Sequence, residues 1–468
     1  MSRSDHFAEF ASKMKGAGIK DAAIHAFRHS YNNLVAGQNG LIPEESIQPV
    51  SQLPSLEEVP ARADESLLAQ TVIVKLNGGL GTGMGLEGPK SLLPIKDNLT
   101  FLDFIARQVL HARRGHKQDL RFLLMNSFST SRETLAYLKR YPELGRLEEL
   151  ELMQGQVPKV DANTLRPVER PAQPQLEWCP PGHGDLYPSL LGSGWLDRLL
   201  AEGVRYLFVS NADNLGASLD LGLLNYFAES NQSFLMEVAE RTAADKKGGH
   251  LARGLDGGFL LRESAQCPEA DLEKFQNIGR HRFFNTNNIW VRLDRLKETL
   301  AKNGGAVPLP LIKNSKTVDP RDKQSTPVFQ LETAMGAAIE CFDNAGAIKV
   351  PRRRFAPVKT TSDLLAIRSD AYQVTSDWRL VLAPEFDGQP PVIELDPDYY
   401  KLVEQLDSRL LSVPSLKHCQ ELRVRGPIAF PGGVTFKGKV ELVNSTKGAR
   451  PLTPGIYENT TITLGQSS

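Results

Sequence analysis

The chain has 468 residues, 41% of them hydrophobic, and its 55 Lys and Arg balance its 55 Asp and Glu. This length allows two or three domains, and the neutral balance gives no overall field that would attract nucleic acid or an anionic membrane. The four cysteines are widely spaced, and no uncharged apolar run approaches the roughly 18 residues of a membrane span. We therefore predict a cytoplasmic protein with no membrane or nucleic-acid partner.

The first 64 residues are predicted to form a helical segment and a connector. Apolar residues recur at spacings of three and four within 5–37, which predicts two helices separated at Gly16–Gly18. Residues 38–64 are polar and contain four prolines, which is typical of an extended connector.

Residues 65–380 are predicted to form one α/β domain. Strand patterns alternate with helical patterns, which favours a mainly parallel, doubly wound, Rossmann-like sheet with ligands beyond the carboxyl ends of its strands. The clearest predicted strands are 71–76, 121–125, 205–210 and 288–292. The predicted helices include 101–114, 131–140, 193–202 and 331–341.

The tail, residues 381–468, has a six-residue period. Apolar residues on this period are Leu422, Ile428, Val434, Val440 and Leu452, and glycines on it are Gly426, Gly432 and Gly438. Such hexads predict a β-helix, although an antiparallel meander is an alternative because a period of two divides six. Exposed strand edges would suit the tail to packing or self-association, with Gly432 at a turn.

A loop with six glycines follows the predicted strand 71–76. A P-loop would need a lysine directly after its second glycine, but Pro89 precedes Lys90. The dinucleotide pattern G-x-G-x-x-G fits Gly83, Gly85 and Gly88, which keeps an NAD-dependent oxidoreductase as a remote alternative. That match begins several residues after the strand should end.

A third pattern, L-x-G-G-x-G-T-x-x-G-x-x-x-P-K, fits from Leu76 to Lys90 without a gap. It resembles the nucleotide loop of the sugar-nucleotide pyrophosphorylases, and its form resembles the eukaryotic-type UDP-glucose pyrophosphorylases. Gly83 stands where the N-acetylhexosamine branch has arginine. Other segments that resemble the family follow in its order, at 125–130, 180–190, 211–217, 284–290, 330–334 and 354–363.

The resemblance implies a nucleotidyltransferase domain followed by a left-handed β-helix. It also implies Mg²⁺-dependent transfer of uridylyl from UTP to glucose 1-phosphate, by in-line attack on the α-phosphorus with release of pyrophosphate. A sugar phosphate loses its second proton near a pKa of about 6, so the nucleophile needs no general base at pH 7. A broader UDP-sugar pyrophosphorylase and a non-catalytic sugar-nucleotide sensor are alternatives.

Candidate site residues follow from residue type and from the resemblance. Lys90 and Lys359 are the candidate catalytic cations, and Asp213, after the strand 205–210, is the candidate Mg²⁺ ligand, with a helix cap as its alternative role. The resemblance implies nucleotide contacts from Leu76, Asn77, Gly78, Gly79, Lys90, Gln154, Gly182, Asn211, Asp213 and Lys359. It implies sugar-phosphate contacts from His183, Asn287, Gly249 and Glu332. Gln156 competes with Gln154 as the reader of uracil, and Lys247 belongs to the same expected sugar loop as Gly249.

Overall fold

A computed structural model describes residues 6–60, 64–242, 245–246 and 248–465 of the chain. The helices are α1 Phe7–Gly16, α2 Asp21–Val35, α3 Phe101–His116, α4 Ser131–Leu138, α5 Leu186–Gly192, α6 Trp195–Ala201, α7 Leu221–Glu229, α8 Leu272–Gln276, α9 Leu293–Lys302, α10 Thr361–Arg368, α11 Pro397–Tyr400 and α12 Val403–Arg409. Over these residues, no helix is both long and apolar enough to cross a bilayer.

The first thirteen strands are β1 Ile47–Pro49, β2 Thr71–Asn77, β3 Pro94–Lys96, β4 Leu99–Thr100, β5 Arg121–Asn126, β6 Glu151–Met153, β7 Val157–Pro158, β8 Val160–Asp161, β9 Trp178–Cys179, β10 Tyr206–Asn211, β11 Phe234–Glu240, β12 His250–Gly254 and β13 Phe259–Arg262. The remaining strands are β14 Phe283–Arg292, β15 Ile312–Thr317, β16 Pro327–Glu332, β17 Ala345–Lys349, β18 Tyr372–Val374, β19 Leu380–Leu382, β20 Val392–Leu395, β21 Ser415–Arg425, β22 Ile428–Ala429, β23 Val434–Asn444, β24 Arg450–Pro451 and β25 Gly455–Leu464.

Among the described residues, the central sheet has ten strands, ordered β1-β12-β14-β10-β2-β5-β6 along its main path. The strands β10, β2, β5 and β6 run parallel, and the long strand β14 pairs antiparallel with β10 and β11. This arrangement confirms the predicted mixed α/β fold with a mainly parallel sheet at its core. It also brings the ends of β2 and β10 to one edge, because parallel neighbours finish side by side.

Helices cover both faces of this sheet because its strands are apolar on both sides. Ile73 of β2 belongs to the hydrophobic cluster that includes Phe104 of α3. The neighbouring residue Val74 points the other way and belongs to the cluster that includes Leu190 of α5 and Leu296 of α9. Burial on both faces explains why β2 has a continuous apolar pattern.

One predicted helix is wrong. The segment 331–341 ends strand β16 at Glu332, and a short 3₁₀ helix then runs over Met335–Glu340. Strand β16 pairs antiparallel with β15 and with β8. These pairings, together with the bond from Thr333 N to Pro181 O at 3.0 Å, hold the start of the segment extended.

The tail forms parallel sheets, which excludes the antiparallel meander. Strands β20, β21, β23 and β25 pair in parallel in that order, and β22 pairs in parallel with β24. Leu422 lies opposite Val440, which is three six-residue periods further along. The five predicted apolar positions, Leu422, Ile428, Val434, Val440 and Leu452, are all buried.

Candidate active site

The glycine loop begins where β2 ends, beside the end of β10. Leu76 and Asn211 lie opposite each other in the parallel register, and the Ala212 N–H donates to the Leu76 carbonyl at 3.0 Å. Gly81 and Gly85 have φ of +67° and +78°, a conformation that glycine adopts without strain. The loop then returns to Lys90, whose N–H donates to the Gly79 carbonyl at 3.1 Å.

Gln154 lies against two glycines that sequence reasoning places at the nucleotide. A Cβ added at Gly78 would come within 2.5 Å of Gln154 Oε1, so the Gln154 amide lies directly against Gly78. The Gln154 Nε2 donates to the Gly182 carbonyl at 3.1 Å. The structure therefore brings Gly78, Gln154 and Gly182 together at the mouth of the glycine loop.

Asn77 has a different place from its neighbours. Its side chain is buried and donates to Asn126 Oδ1 at 2.7 Å and to Thr134 Oγ1 at 3.0 Å. These bonds tie β2 to β5 and α4. Any nucleotide contact from Asn77 would thus come from its backbone, since the amide is occupied inside the fold.

Lys90 and Asp213 form an ion pair at this edge, with Lys90 Nζ 2.6 Å from Asp213 Oδ2. Lys90 Nζ also donates to the Val358 carbonyl. Val358 N in turn donates to the Asp213 carbonyl at 3.3 Å, so the next residue, Lys359, lies beside the same pair. Lys359 is exposed, and its ammonium is 5.8 Å from the centre of the Phe355 ring.

His183 lies in a loop that is fixed to the segment after β16. Gly182 has φ +80°, and a Cβ there would collide with the backbone of Thr333. The Met335 N–H donates to His183 Nδ1 at 2.9 Å, which leaves the ring proton on Nε2. Burial lowers the pKa of His183 to about 4, so the ring is neutral at pH 7.

Glu332, the last residue of β16, lies next to this loop. A Cβ on Gly182 would come 3.2 Å from the Cβ of Glu332. Burial raises the pKa of the Glu332 carboxyl, although Asn314 and Lys316 oppose the shift. The residue is thus on a half-buried strand end and not on the outward face of a helix.

Asn287 lies on a bulge of β14. The register between β11 and β14 shifts at Glu237 and Val238, and Asn287 has φ +58°. Asn285 Nδ2 donates to Asn287 Oδ1 at 2.8 Å, and Asn287 N donates to Asn285 Oδ1 at 2.9 Å. Bulges of this kind redirect side chains beside active sites.

Gly249 packs on a carboxylate near Lys359. A Cβ on Gly249 would lie 2.5 Å from Glu263 Oε2. Burial raises the pKa of the Glu263 carboxyl, and the positive charge of Lys359 opposes that rise. The two side chains are therefore close enough to interact electrostatically. Lys247, expected in the same loop, lies outside the described residues.

The sequence analysis did not single out Glu237, and it included Arg354 only as the first residue of the family-like segment 354–363. Glu237 and Arg354 form a buried ion pair, with Arg354 Nε 2.7 Å from Glu237 Oε2, directly behind the segment that carries Lys359. A charged residue inside the apolar strand β11 was the available signal, because a buried charge requires a partner.

Together these features define a class. Glycine backbone and the Lys90–Asp213 ion pair meet at the carboxyl edge of a mainly parallel sheet, next to the segment that carries Lys359 and beside half-buried polar side chains that can form hydrogen bonds. Described residues contain no group of three or more His, Cys, Asp or Glu that could hold a metal by themselves. The arrangement is that of a nucleotide-binding transferase that acts on phosphates through positioning and charge.

Comparisons with known proteins identify the family. The profile of the UTP–glucose-1-phosphate uridylyltransferase family matches residues 24–437. A probable UTP–glucose-1-phosphate uridylyltransferase of Schizosaccharomyces pombe is 40% identical over 85% of this chain and 78% of its own length. The corresponding Solanum tuberosum protein is 41% identical over 85% of this chain and 81% of its own.

Solved structures agree. A mutant UDP-glucose pyrophosphorylase from Leishmania major, in complex with UDP-glucose, superposes with a TM-score of 0.94 at 47% identity, covering 98% of this chain and 99% of that one. A UDP-glucose phosphorylase from Trypanosoma brucei gives a TM-score of 0.90 at 49% identity, covering 99% and 100%. The chain belongs to the UTP–glucose-1-phosphate uridylyltransferase family, which confirms the resemblance seen in the sequence.

Proposed function

We propose that this chain transfers uridylyl from UTP to glucose 1-phosphate, giving UDP-glucose and pyrophosphate. The observation that carries the proposal is the ion pair between Lys90 and Asp213, with Lys359 beside it, at the edge of the glycine loop. Family membership agrees with it and removes the reason for considering an NAD-dependent oxidoreductase.

The reaction depends more on stabilising the negative charge of the transition state than on transferring a proton. An oxygen of the sugar phosphate attacks the α-phosphorus of UTP, and the bond from that phosphorus to the pyrophosphate oxygen breaks. The attacking oxygen is already ionised at pH 7. Lys90 and Lys359 would offset the negative charge that gathers as the two anions meet. Neutral His183 can donate a hydrogen bond from Nε2 without acting as a base.

Asp213 fits the proposed role of Mg²⁺ ligand. A carboxylate is the hard oxygen ligand that Mg²⁺ prefers, and this ion usually takes one or two carboxylates together with substrate phosphates. Asp213 is half-buried at a strand end, and one of its oxygens already accepts from Lys90. Mg²⁺ there would neutralise phosphate charge, while Lys90 holds the carboxylate in place.

Gln154 is the proposed reader of uracil. Its amide offers one donor and one acceptor, which suits the edge of that base. The contacts with Gly78 and Gly182 favour Gln154 over Gln156, because both glycines belong to the proposed nucleotide surface.

The sugar phosphate is proposed to lie between the β14 bulge and the loop after β9. Asn287 would hydrogen-bond sugar hydroxyls, and His183, Gly249 and Glu332 would complete this side. A broader preference that includes galactose 1-phosphate depends on the orientation of one hydroxyl, so it is the alternative that substrate comparison must decide.

The finer architecture is also a proposal. We assign residues 1–64 to the helical segment and connector, 65–380 to the catalytic domain and 381–468 to a left-handed β-helix, supported by the parallel pairing of its strands. Strand β25 ends its sheet and carries Ile456, which is 65% exposed, so copies of the chain could associate there. We place the protein in the cytoplasm because its spaced thiols suit a reducing compartment.

A pyrophosphate-release assay tests the function. The purified chain is given UTP with glucose 1-phosphate, galactose 1-phosphate or N-acetylglucosamine 1-phosphate, with and without Mg²⁺. We expect release with glucose 1-phosphate that depends on Mg²⁺, and a higher Mg²⁺ requirement in Asp213→Asn. Equal rates with the galactose substrate would favour the broader enzyme. Nucleotide binding without pyrophosphate release would favour a sensor.

A further inference from the structure

A buried carboxylate lies under the site and is fully satisfied. Glu237 of β11 has no exposed surface. Its Oε2 accepts from Arg354 Nε at 2.7 Å and from Asn288 Nδ2 at 3.0 Å, and its Oε1 accepts from Arg354 Nη2 at 2.8 Å and from Trp290 Nε1 at 2.9 Å. Four donors on one carboxylate fix its orientation.

Arg354 extends this arrangement toward the glycine loop. Its side chain is buried, and the Glu237 carboxylate raises the pKa of Arg354 against the effect of burial. Its carbonyl accepts from Asn214 Nδ2 at 3.2 Å and from Asn288 Nδ2 at 3.3 Å. Asn214 Oδ1 then accepts from Ala356 N at 2.9 Å, so residues 354–356 are held against the segment after β10.

The fixed segment 354–356 is followed, after Pro357, by Val358 and Lys359, which lie next to the proposed phosphate site. Pro357 forms an antiparallel bridge with Asn214. Val358 follows, bonded through its N–H to the Asp213 carbonyl and through its own carbonyl to Lys90 Nζ. Lys359 is the next residue, so the position of its backbone, and with it the base of its side chain, depends on the position of Arg354.

Glu237 also contacts the β14 bulge, on the side of the site proposed for the sugar. Glu237 lies opposite Asn288 in the register, at the point where β14 bulges. The Thr286 hydroxyl donates to the Glu237 carbonyl at 2.7 Å. Asn287 lies between these two anchored residues, so the conformation of the sugar-facing bulge depends on Glu237.

We propose that Glu237 and Arg354 are a positioning pair that holds Lys90, Asp213 and Lys359 in register with the Asn287 bulge. Neither residue reaches the proposed substrates, and each acts through the bonds described above. The inference rests on the proposed function, because it assigns the pair to the alignment of the two reacting phosphates. A misplacement of about 1 Å between reacting groups can lower a rate roughly 10²-fold.

The design of the test follows from the energetics of buried ion pairs. Removing one partner leaves an unpaired buried charge and destabilises the fold, whereas replacing both by apolar residues of similar size is often neutral. The double variant Glu237→Leu with Arg354→Met therefore removes the four bonds to the Glu237 carboxylate without leaving either member of the pair charged and unpaired, and it keeps the backbone bonds of both residues. Arg354→Lys keeps the positive charge but loses the bidentate contact with the Glu237 carboxylate.

A control ion pair lies at the far end of β14, the strand that carries Asn287. Arg292 at the far end of β14 makes a two-pronged contact with Asp294, at 3.2 and 2.9 Å. Arg292 lies opposite Tyr206, at the start of β10, and so at the edge of the sheet away from the site. Arg292→Met with Asp294→Leu removes a bidentate but partly exposed ion pair there.

We expect the double variant to melt within a few degrees of wild type and to bind UTP within about threefold, with kcat roughly 10²-fold lower. The kcat of Arg354→Lys should lie between that of wild type and that of the double variant. The control double variant should keep wild-type kcat. A folded double variant with kcat within threefold of wild type overturns the positioning role, as does a loss of UTP affinity equal to the loss of kcat. If the double variant does not fold, Arg354→Lys is judged by the same criteria. Wild-type protein without turnover contradicts the proposed function instead.

Discussion

Lys90 and Lys359 reach the same edge of the sheet by different routes. Lys90 is placed by the glycine loop, through its bond to Gly79, and Lys359 is placed by the pairing of its segment with Asp213 and Asn214. Lys90 already has a carboxylate partner, whereas Lys359 is exposed next to an aromatic ring. The exposed amine is therefore the cation more readily available to an incoming phosphate.

Replacing Lys359 by alanine should lower kcat far more than it raises KM for UTP. Loss of one preorganised charge donor at a developing negative charge costs about 10²–10³-fold. Steady-state kinetics of Lys359→Ala measure this, with Lys439→Ala, an exposed lysine of the tail, as the matched control. A Lys359→Ala enzyme within threefold of wild type would remove this residue from the mechanism.

His183 should make folding stability sensitive to acid. Its folded pKa of about 4 lies below the ordinary 6.5, so the unfolded chain binds the proton more readily. Its contribution is complete above pH 6.5 and is lost as the pH falls toward 4, by an amount on the order of 3 kcal/mol. Burial raises the pKa of Asp185 to about 6, so the titration of Asp185 has the opposite effect and lowers stability as the pH rises.

Comparing variants isolates the histidine from these other titrations. We expect the free energy of unfolding of His183→Gln to fall less between pH 7 and pH 5 than that of wild type, since glutamine can still accept from Met335 N. Urea unfolding at the two pH values measures the difference. Parallel losses in both proteins would show that the His183 ring does not titrate as its burial indicates.

Sequence reasoning singled out charged residues at strand ends as candidates, and it passed over the residues that hold them. Lys90 and Asp213 follow the buried strands β2 and β10, where a polar residue attracts notice, whereas Gln154 was assigned from the resemblance to the family. Glu237 lies inside a strand, and its importance depends on Arg354, which is distant in sequence. Asn77 belongs to a recognisable pattern, but only the structure shows that its amide faces inward.

At the scale of elements, long periodic segments were predicted well and short ambiguous ones were not. Strands β2, β5 and β10 begin and end within a residue or two of expectation because they are buried on both faces. The segment 331–341 is rich in good helix formers, yet β16 extends into it. Pairing with strands distant in sequence outweighed local propensity there, and one sequence does not contain that information.

Gly432 lies at a turn, as the hexad pattern predicts, but this turn has room for a side chain. Gly432 is exposed, and an added Cβ would meet only the Ser412 side chain at 3.9 Å. Gly426 has φ +78°, and its Cβ would collide with the Asn444 carbonyl. The close approach between neighbouring coils therefore depends on Gly426.

Gly426→Ala should destabilise the protein by about 1–3 kcal/mol, through a strained φ and the forced separation of two coils. Gly432→Ala should change stability by less than about 0.5 kcal/mol, as surface substitutions usually do. Thermal melting of the two variants provides the comparison. Equal losses would show that the coils tolerate a side chain at Gly426.

On the scale of the whole molecule, the tail is continuous with the catalytic sheet. One hydrophobic cluster contains Ile73 of β2 together with Leu422 and Val440 of the tail. The Thr361 hydroxyl, at the start of the helix after Lys359, donates to the Tyr400 carbonyl. A Cβ on Gly85 would lie 3.1 Å from the Leu402 side chain, so the tail also supports the glycine loop, which the hexad pattern did not indicate.

Leu402 is therefore expected to influence UTP binding from outside the proposed site. Leu402→Ala removes the surface on which Gly85 rests, so the loop must be ordered by UTP itself. This ordering cost should weaken UTP binding about 3- to 10-fold, which corresponds to roughly 1 kcal/mol. Calorimetric titration with UTP measures the change. Leu411→Ala is the control, because that side chain is 69% exposed in the same part of the tail. Unchanged affinity in Leu402→Ala, with the fold intact, would mean that the glycine loop keeps its shape without the tail, and the C-terminal coils would then be free to act only in packing between copies.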